Sequence, residues 1–315
     1  MRDNYGRDIY YLRLSVTDLC NLRCIYCMPE DGVAKHSHED NLSIEEIDEI
    51  VSASAACGIT KVRVTGGEPL IRNGIIDICR RISSTKGINE LCLTTNGILL
   101  PKYAKELKAA GVKRLNISLD SLDPETYARI TRNGSLLDAI DGVKAALETG
   151  FEAVKINAVL MGGVNDGEIM TMLELTRQYS VNVRFIEVMP IGESADWAGE
   201  RFISALRVLE LAPDLIDVGV DGVAKLYKLP GGIGTVGLIS PISSHFCPTC
   251  NRIRVASDGK LKPCLHSADE IDLRGLSGKA LEDAIRSAIS LKPQKHKLDA
   301  GEISASIRNM NAIGG

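Results

Sequence analysis

Strand-like and helix-like segments alternate along the first 190 residues. The strands are short apolar runs, predicted at 12–16, 61–65, 90–96, 114–120, 154–160 and 183–188. Alternation of this kind indicates a parallel sheet with right-handed crossovers. Six strand–helix units are too few for a standard eight-stranded barrel, so an open, partial barrel is one solution.

The first helix has clear start and stop signals and is predicted at 43–58. Ser43 and Glu46 have the spacing of a capping box, and Gly58 ends the helix. Further helices with amphipathic spacing are predicted at 101–110, 136–149, 168–179, 201–211 and 278–291.

Side chains along the predicted strands separate into an apolar and a polar set. Val62 and Val64 alternate with Arg63 and Thr65, and strands 12–16, 114–120 and 154–160 divide in the same way. The apolar face suits packing by helices, and a polar inner face predicts a wide, wet cavity for a polar ligand. The sixth strand fits less well, because its alternation places Glu187 on the helix side.

Cations on the polar face require anions, since isolated charges are costly to bury. Asp120 and Glu68 are too few to neutralise them all, whereas a polyphosphate ligand would do so. Internal salt bridges or a surface position are the alternative. The cations concerned are Arg13, Arg63, Lys155 and Arg184.

The bulk properties exclude several function classes. The formal net charge is −4 over 315 residues, so no overall basic field points to nucleic acid or to an anionic membrane. No apolar run has the length of a membrane span. The first residues also lack the apolar stretch that a secretory signal requires. We therefore expect a cytoplasmic protein.

Six of the nine cysteines form two groups of three. Clustered cysteines in a reducing compartment more often bind metal or take part in catalysis than form disulfides. The spacings are C-x3-C-x2-C for Cys20, Cys24 and Cys27, and C-x2-C-x13-C for Cys247, Cys250 and Cys264. The other three, Cys57, Cys79 and Cys92, are predicted to be small buried core residues.

Three thiolates suit an iron–sulfur cluster that keeps one iron open for a small molecule. For the second group, zinc with His245 or His266 as an extra ligand is the alternative, because structural zinc sites close at four ligands. Arg252 and Arg254, at alternate positions beside that group, favour a ligand site over a structural one.

The first cysteine group, with Tyr26 before its last cysteine, resembles the signature of radical S-adenosylmethionine (SAM) enzymes, and the segment TGGEP resembles their loop for the SAM amino group. Taken together, the segments that carry the resemblance are similar to the GTP 3′,8-cyclase family, lyases that catalyse the first step of molybdenum cofactor biosynthesis. These segments are RLSVTDLCNLRCIYCMP, VRVTGGEPLIR, LTTNG, NISLDSLD, VKINAVLM, FIEVMP and CPTCNRIRVASDGKLKPCL.

The resemblance implies a fold, cofactors and a reaction. The fold is α/β, a partial (β/α)6 TIM-type barrel over 1–190, with a C-terminal layer over 191–315 that carries the second cluster and closes the cavity. The cofactors are two [4Fe–4S] clusters, one for each cysteine group, and SAM. A 5′-deoxyadenosyl radical takes the ribose 3′ hydrogen of GTP, and that carbon attacks guanine C8 to give 3′,8-cyclo-7,8-dihydro-GTP.

Site residues follow from the resemblance by position. The candidate SAM contacts are Tyr26, Gly67, Ser118 and Met189. The candidate GTP contacts are Arg13, Arg63, Thr94, Lys155 and Arg184, with Arg252 and Arg254 beside the base and in the catalytic set. The family also implies a Gly-Gly end, here Gly314 and Gly315, that enters the catalytic cavity.

The resemblance also implies partners, and two alternative functions are compatible with the sequence. The expected partners are a reductant such as flavodoxin or ferredoxin and a downstream cyclic pyranopterin monophosphate synthase acting on the product, and a homodimer is left open. One alternative function is another radical SAM enzyme with an auxiliary cluster, such as a peptide-modifying one. A second is a zinc-stapled nucleotide-binding module.

Overall fold

The six predicted strands form a parallel sheet in chain order. The structure, a computed structural model, describes residues 1–33, 41–296, 298 and 303–314. The strands are β1 (Tyr11–Ser15), β2 (Lys61–Thr65), β3 (Glu90–Thr95), β4 (Val112–Ser118), β5 (Ala153–Leu160) and β6 (Val181–Glu187). Each pairs in parallel with the next, which confirms the predicted parallel sheet.

All the described helices but the last contribute residues to the core on one face of the sheet, whereas the last lies beside the cavity, which its Met310 lines. The helices are α1 (Ile44–Ala56), α2 (Ile75–Ser84), α3 (Leu100–Ala109), α4 (Pro124–Thr131), α5 (Leu136–Thr149), α6 (Ile169–Gln178), α7 (Arg207–Leu211), α8 (Gly278–Ser290) and α9 (Met310–Ile313). The capping box of α1 is present: the Ser43 hydroxyl accepts from the Glu46 amide at 3.1 Å, and the Glu46 carboxylate accepts from the Ser43 amide at 2.7 Å.

Strands from the C-terminal region extend the same sheet at both edges. They are β7 (Ile216–Asp221), β8 (Ala224–Lys228), β9 (Thr235–Ile239), β10 (Arg252–Val255), β11 (Lys260–Lys262) and β12 (Ile271–Asp272). β10 lies parallel to β1, and β9 lies parallel to β6. Over the described residues the strand order is β12-β11-β10-β1-β2-β3-β4-β5-β6-β9-β8-β7, an open arrangement consistent with a partial TIM-type barrel.

The hydrophobic core lies between the sheet and its helices. Val62, Val64, Leu115, Ile117 and Ile156 are fully buried there, on the face that strand alternation assigned to the helices. Cys57, Cys79 and Cys92 are buried as well, as predicted. Within the described residues, no helix is both long and apolar enough to cross a membrane.

Glu187, on the helix side of β6, joins the sheet to the C-terminal region. Its fully buried carboxylate accepts from the backbone amides of Ala205, Ile242 and Ser243 at 3.2, 3.0 and 3.0 Å, and from the Ser243 hydroxyl. This satisfies the polar residue that did not fit the strand alternation. The helix predicted at 201–211 is shorter, Arg207–Leu211, because the chain at Ala205 turns toward this carboxylate.

Gly142 of α5 packs directly on the turn after β3, and its replacement tests that contact. A Cβ added at Gly142 would lie 2.0 Å from the carbonyl oxygen of Gly97. We expect Gly142→Ala to lower the free energy of unfolding by about 1–3 kcal/mol, despite alanine's better helix propensity. Chemical denaturation measures this. Gly167→Ala, whose Cβ would meet nothing within 4 Å, is the control, and equal midpoints for both variants would contradict the packing.

Candidate active site

A cavity of about 320 Å³ lies on the polar face of the sheet. Among the described residues, it is lined by two carboxylates, Asp120 and Asp221, and by eight lysine and arginine side chains. Those cations are Arg13, Lys61, Arg63, Lys155, Arg184, Arg252, Arg254 and Lys292. The prediction that Arg13, Arg63, Lys155 and Arg184 share one polar face is therefore confirmed, and the excess of positive charge makes the cavity a site for anions.

Three arginines stand side by side on neighbouring parallel strands. Arg13 of β1 is the register partner of Arg63 on β2 and of Arg254 on β10. Burial, together with the nearby charge of Arg252, lowers the pKa of Arg254 to about 10. Because like charges repel and burial removes water, this row of guanidinium groups favours an added anion.

The Tyr11 hydroxyl and the Asp221 carboxylate are the protein's own hydrogen-bond acceptors for these cations. The Tyr11 hydroxyl oxygen accepts from Arg63 Nε at 2.5 Å. Burial alone would raise the pKa of Tyr11, but Arg63 and the neighbouring arginines lower it to about 8. The Asp221 carboxylate accepts from Lys155 Nζ and, at 2.6 Å, from Arg184 Nη2.

Asp120 and Glu68, the acids considered as partners from sequence, serve other groups. Asp120 accepts from the Tyr26 hydroxyl at 2.7 Å and from the Val159 amide at 2.8 Å. Glu68 accepts from the amides of Leu70 and Asn96 at 3.0 and 2.7 Å. Their carboxylates are therefore engaged in holding loops at the carboxyl ends of the strands.

Several polar atoms that face the cavity have no hydrogen bond within the described part of the chain. They are buried and belong to Thr94 (Oγ1), Asn116 (Oδ1), Asn157 (Oδ1) and Arg252 (Nε). Buried polar atoms are almost always hydrogen-bonded, so this set fits a polar ligand with both donors and acceptors.

The first cysteine group lies in the loop after β1. Cys20, Cys24 and Cys27 are all free thiols and all line the cavity. The loop is fixed to the end of α4, because the amides of Arg23 and Ile25 donate to carbonyls of Thr131 and Ile130 at 3.0 and 2.9 Å. Three free cysteines on one wall are the donor set of a [4Fe–4S] cluster with one iron open, so the residues present fit that group.

The TGGEP segment packs against the backbone of this cysteine loop. A Cβ at Gly66 would lie 2.6 Å from the Thr17 carbonyl oxygen, and one at Gly67 would lie 2.3 Å from that of Leu19. The Gly67 and Glu68 amides donate to the same two carbonyls at 2.7 and 2.8 Å. Glycine is required here for close backbone approach, and both glycines line the cavity.

The other residues that sequence resemblance assigned to SAM also line this end of the cavity. Tyr26 is oriented by its hydrogen bond to Asp120. Ser118 lies at the end of β4, and Met189 follows β6, beside Ser194, whose hydroxyl donates to its carbonyl at 2.6 Å. They line the same cavity as Gly67 and the first cysteine group.

The second cysteine group lines the cavity next to β10. Cys247 begins a short helical turn, Cys250 precedes β10, and Cys264 follows β11. Burial would raise the pKa of Cys250, but Lys292 and Arg252 outweigh it and hold the pKa below its usual value. Burial raises the pKa of the Cys247 thiol. Three free cysteines that line the same cavity are a donor set of the same kind as the first, so this group too fits an iron–sulfur cluster.

Histidines surround the second group, which bears on the zinc alternative. His245 Nδ1 lies 3.2 Å from His296 Nε2, and these two residues with Cys247 have ligand atoms within 4.8 Å of one another. His266 instead lies 3.2 Å from the Ser304 hydroxyl. His245, Cys247 and His296 thus form a nitrogen-and-sulfur donor set of the kind that binds zinc.

The tail, which consists of α9 and Gly314 in the described residues, lies beside the row of guanidinium groups of Arg13, Arg63 and Arg254. Arg254 Nη1 donates to the Gly314 carbonyl at 2.6 Å, and Asn311 Nδ2 donates to the Asp18 carbonyl at 3.0 Å. A Cβ at Gly314 would lie 2.2 Å from the Thr65 hydroxyl, and its φ is +69°. Gly314 thus lies over the inner face of β1 and β2, while Gly315 lies outside the described residues.

Sequence reasoning missed several residues of this cavity. Lys61, two positions before Arg63, shares the inward parity and could have been found by extending that pattern by one step. Asn116 and Asn157 were placed on the polar face but not in the site. Asp221 is the last residue of β7 and is followed by the two-residue turn of Gly222 and Val223. The sequence signals a hairpin here, but it does not indicate which cations the Asp221 carboxylate contacts.

Comparisons with known families divide the chain in two. Residues 14–176 match the Radical SAM superfamily, and residues 181–298 match Molybdenum Cofactor Synthesis C. The first match covers the end of β1, the parallel strands β2 to β5 and the first cysteine group, and the second covers β6 to β12 and the second cysteine group.

Solved structures support the fold. The structure of Streptococcus suis SuiB bound to precursor peptide SuiA is similar with a TM-score of 0.65 and 16% identity, over 90% of this chain and 67% of that chain. SuiB bound to S-adenosylmethionine gives a TM-score of 0.62 and 16% identity, over 89% of this chain and 66% of that chain. At this identity the likeness concerns the fold.

Curated relatives are much closer in sequence. GTP 3′,8-cyclase from Alkaliphilus oremlandii is 50% identical over 320 residues, covering 100% of both chains. The enzyme of the same name from Peptoclostridium acidaminophilum is 48% identical over 319 residues, covering 99% of this chain and 98% of the relative. Full-length similarity at this level, together with both cysteine groups in one cation-lined cavity, shows that the chain belongs to the GTP 3′,8-cyclase family of the radical SAM superfamily.

Proposed function

We propose that this chain converts GTP to 3′,8-cyclo-7,8-dihydro-GTP, the first step of molybdenum cofactor biosynthesis. The observation that carries the proposal is a single cavity that joins two groups of three thiols and a wall of cations. Radical chemistry on a polyphosphate substrate needs both, and the full-length relatives bear the name of this activity.

The first cysteine group and the loops around it form the SAM site. Cys20, Cys24 and Cys27 hold one [4Fe–4S] cluster, and Gly66 and Gly67 let the loop backbone approach the cofactor closely. When bound, cluster and SAM together supply the 5′-deoxyadenosyl radical that removes the ribose 3′ hydrogen. The protein's own residues position that radical and keep water away.

The cation wall holds GTP across the cavity. Lys155 and Arg184, on β5 and β6, bind the phosphate chain, and Arg13 and Arg63 continue the wall toward β10. Thr94 supplies a buried hydroxyl with no hydrogen bond among the described residues, which suits a sugar or base contact. The triphosphate thereby receives the charge-assisted contacts that fix its orientation.

The far end of the cavity receives the guanine. Cys247, Cys250 and Cys264 hold the second [4Fe–4S] cluster, and Arg252 lies beside it with its guanidinium carbon 5.9 Å from the centre of the Phe246 ring. Arg254 fixes the tail through the Gly314 carbonyl. Gly314 then helps to confine the ribose between the two cluster sites.

The alternative functions have less support. A peptide-modifying radical SAM enzyme does not need a wall of buried cations, and the peptide-bound SuiB structure shares 16% identity with this chain, against 50% for a GTP 3′,8-cyclase. A zinc-stapled nucleotide-binding module would not need the first cysteine group or the TGGEP loop packed against it.

The decisive test is anaerobic incubation of the reconstituted protein with GTP, SAM and a strong reductant, followed by identification of the nucleotide. We expect 3′,8-cyclo-7,8-dihydro-GTP together with 5′-deoxyadenosine. SAM cleavage without any change in GTP would instead favour another radical SAM reaction.

The setting of the reaction follows from its chemistry. Clusters held by thiolates need reduced cysteines, so we place the enzyme in the cytoplasm. Cleavage of SAM needs an external electron, which flavodoxin or ferredoxin would deliver. A cyclic pyranopterin monophosphate synthase would consume the product.

Separate clusters are tested by removing one cysteine group at a time. Replacing Cys20, Cys24 and Cys27 together by Ala should roughly halve the bound iron and abolish SAM cleavage, since each group holds its own cluster. The matched variant, with Cys247, Cys250 and Cys264 replaced, should also lose half the iron but should still bind SAM. Iron analysis and SAM-binding measurements distinguish these results from a shared site, for which either variant would lose all the iron.

Phosphate binding is tested at Lys155. We expect Lys155→Ala to weaken GTP binding roughly tenfold or more, because charge-assisted contacts to phosphate are strong, while both clusters persist. Guanosine should bind almost as before. Lys144→Ala, at an exposed pair with Asp141, is the control. Equal losses for GTP and guanosine would place Lys155 away from the phosphates.

The tail is tested by Gly314→Ala, which introduces a Cβ against Thr65 at a position with positive φ. Iron content and SAM cleavage should persist, whereas cyclic product should fall on the order of tenfold to a hundredfold, because a small misplacement of reacting groups is costly. The measurement is the ratio of 5′-deoxyadenosine to product. Gly199→Ala, with open space around its Cβ, is the control, and an unchanged ratio in Gly314→Ala would refute the role of the tail.

A further inference from the structure

Asp221 holds the two cations that the proposed function assigns to the phosphate chain. Its carboxylate accepts from Lys155 and from Arg184, the latter at 2.6 Å. The Lys155 and Arg184 side chains are each 8% exposed, whereas that of Asp221 is 40% exposed. Lys155 and Arg184 are thus buried on the sheet, whereas the Asp221 carboxylate that contacts them is partly exposed to solvent.

The element that carries Asp221 is a hairpin at the outer edge of the sheet. Asp221 ends β7, and Gly222 and Val223 form the turn to β8 and line the cavity with it. Among the described strands β7 pairs with β8 alone, and Val218 and Val220 on it are exposed, 49% and 69%. The hairpin therefore contacts the core of the sheet on one side only.

Electrostatics keeps Asp221 ionised at any physiological pH. Burial would raise its pKa, but the hydrogen bond from Lys155 and the charge of Arg184 lower it to about 2. Conversely, burial and the neighbouring charge of Arg184 lower the pKa of Lys155 to about 8, although Asp221 acts to raise it. An anion in this position thus stabilises the charged forms of Lys155 and Arg184.

We propose that Asp221 is a built-in counter-ion at the phosphate subsite, which the phosphate chain of the nucleotide must displace from Lys155 and Arg184. A carboxylate and a phosphate group compete for the same donors and repel each other. Displacing the carboxylate costs the same free energy for every ligand that places a phosphate group here. Asp221 thereby lowers the affinity of this subsite for phosphate-bearing ligands and leaves binding of the unphosphorylated nucleoside unchanged.

This inference rests on the proposed function for the identity of the nucleotide. Its test therefore uses a probe whose binding does not depend on which nucleotide the protein takes. The probe is inorganic tripolyphosphate, applied to the full-length protein with both clusters reconstituted. The variant is Asp221→Asn, which keeps size and removes the charge. Asp217→Asn on the same strand is the control, since Asp217 is exposed, does not line the cavity and accepts from the Gly219 amide at 2.8 Å.

We expect Asp221→Asn to bind tripolyphosphate and GTP about fivefold more tightly than the parent, the factor typical of losing a partly exposed ion pair. Guanosine affinity should not change, so the affinity ratio of GTP to guanosine should rise by the same factor. Asp217→Asn should match the parent in every measurement.

The outcomes separate the two hypotheses. Unchanged or weaker tripolyphosphate binding in Asp221→Asn overturns the counter-ion role. Tighter tripolyphosphate binding with unchanged GTP binding supports the counter-ion role and places the phosphates of GTP elsewhere, which counts against the proposed function alone.

Discussion

Buried positive charge on the inner face of the sheet is the constraint around which this molecule is organised. Arg254, Arg13 and Arg63 are register partners on adjacent parallel strands, so their charges are held close together and out of water. Such an arrangement is costly unless anions meet it. Within the protein, the Asp221 carboxylate pairs with Lys155 and Arg184, and the Tyr11 hydroxyl accepts a hydrogen bond from Arg63. A polyphosphate substrate adds further negative charge. Substrate binding and the electrostatic balance of the fold therefore involve the same side chains.

The cofactor end of the cavity depends on close backbone contact instead. Gly66 and Gly67 bring the loop after β2 against the cysteine loop after β1, and Glu68 bonds the start of the loop after β3 through the Asn96 amide. Because all three loops leave the carboxyl ends of neighbouring parallel strands, one residue can join them: the Glu68 amide donates to the Leu19 carbonyl, and its carboxylate accepts from the Asn96 amide. The first cysteine group is thus attached to the sheet through these backbone contacts.

Much of the fold and of the candidate site follows from local patterns in the sequence. Strand alternation was sufficient to place Arg13, Arg63, Lys155 and Arg184 on one face, because the side-chain period of a strand is two. The spacing of the cysteines predicted two groups, and the structure puts both on the wall of one cavity. Family resemblance supplied the roles, which alternation and spacing could not.

What the sequence could not predict depends on contacts distant along the chain. Asp221 meets Lys155 only because β8 pairs with β9, and β9 with β6, so that the hairpin turn reaches the cavity. The shortening of α7 follows from the carboxylate of Glu187, a residue that strand alternation identified as exceptional without indicating its partners. The contact of Gly314 with Thr65 likewise joins residues at opposite ends of the chain.

The central claim is that one cavity holds the SAM-derived radical beside the ribose of a GTP molecule fixed by its phosphates. Reaction of GTP carrying deuterium at the ribose 3′ position tests this most directly, with mass analysis of the 5′-deoxyadenosine that is formed. The account predicts transfer of one deuterium from each GTP consumed into 5′-deoxyadenosine. Unlabelled 5′-deoxyadenosine formed alongside a modified nucleotide would contradict it, because the hydrogen would then come from another position.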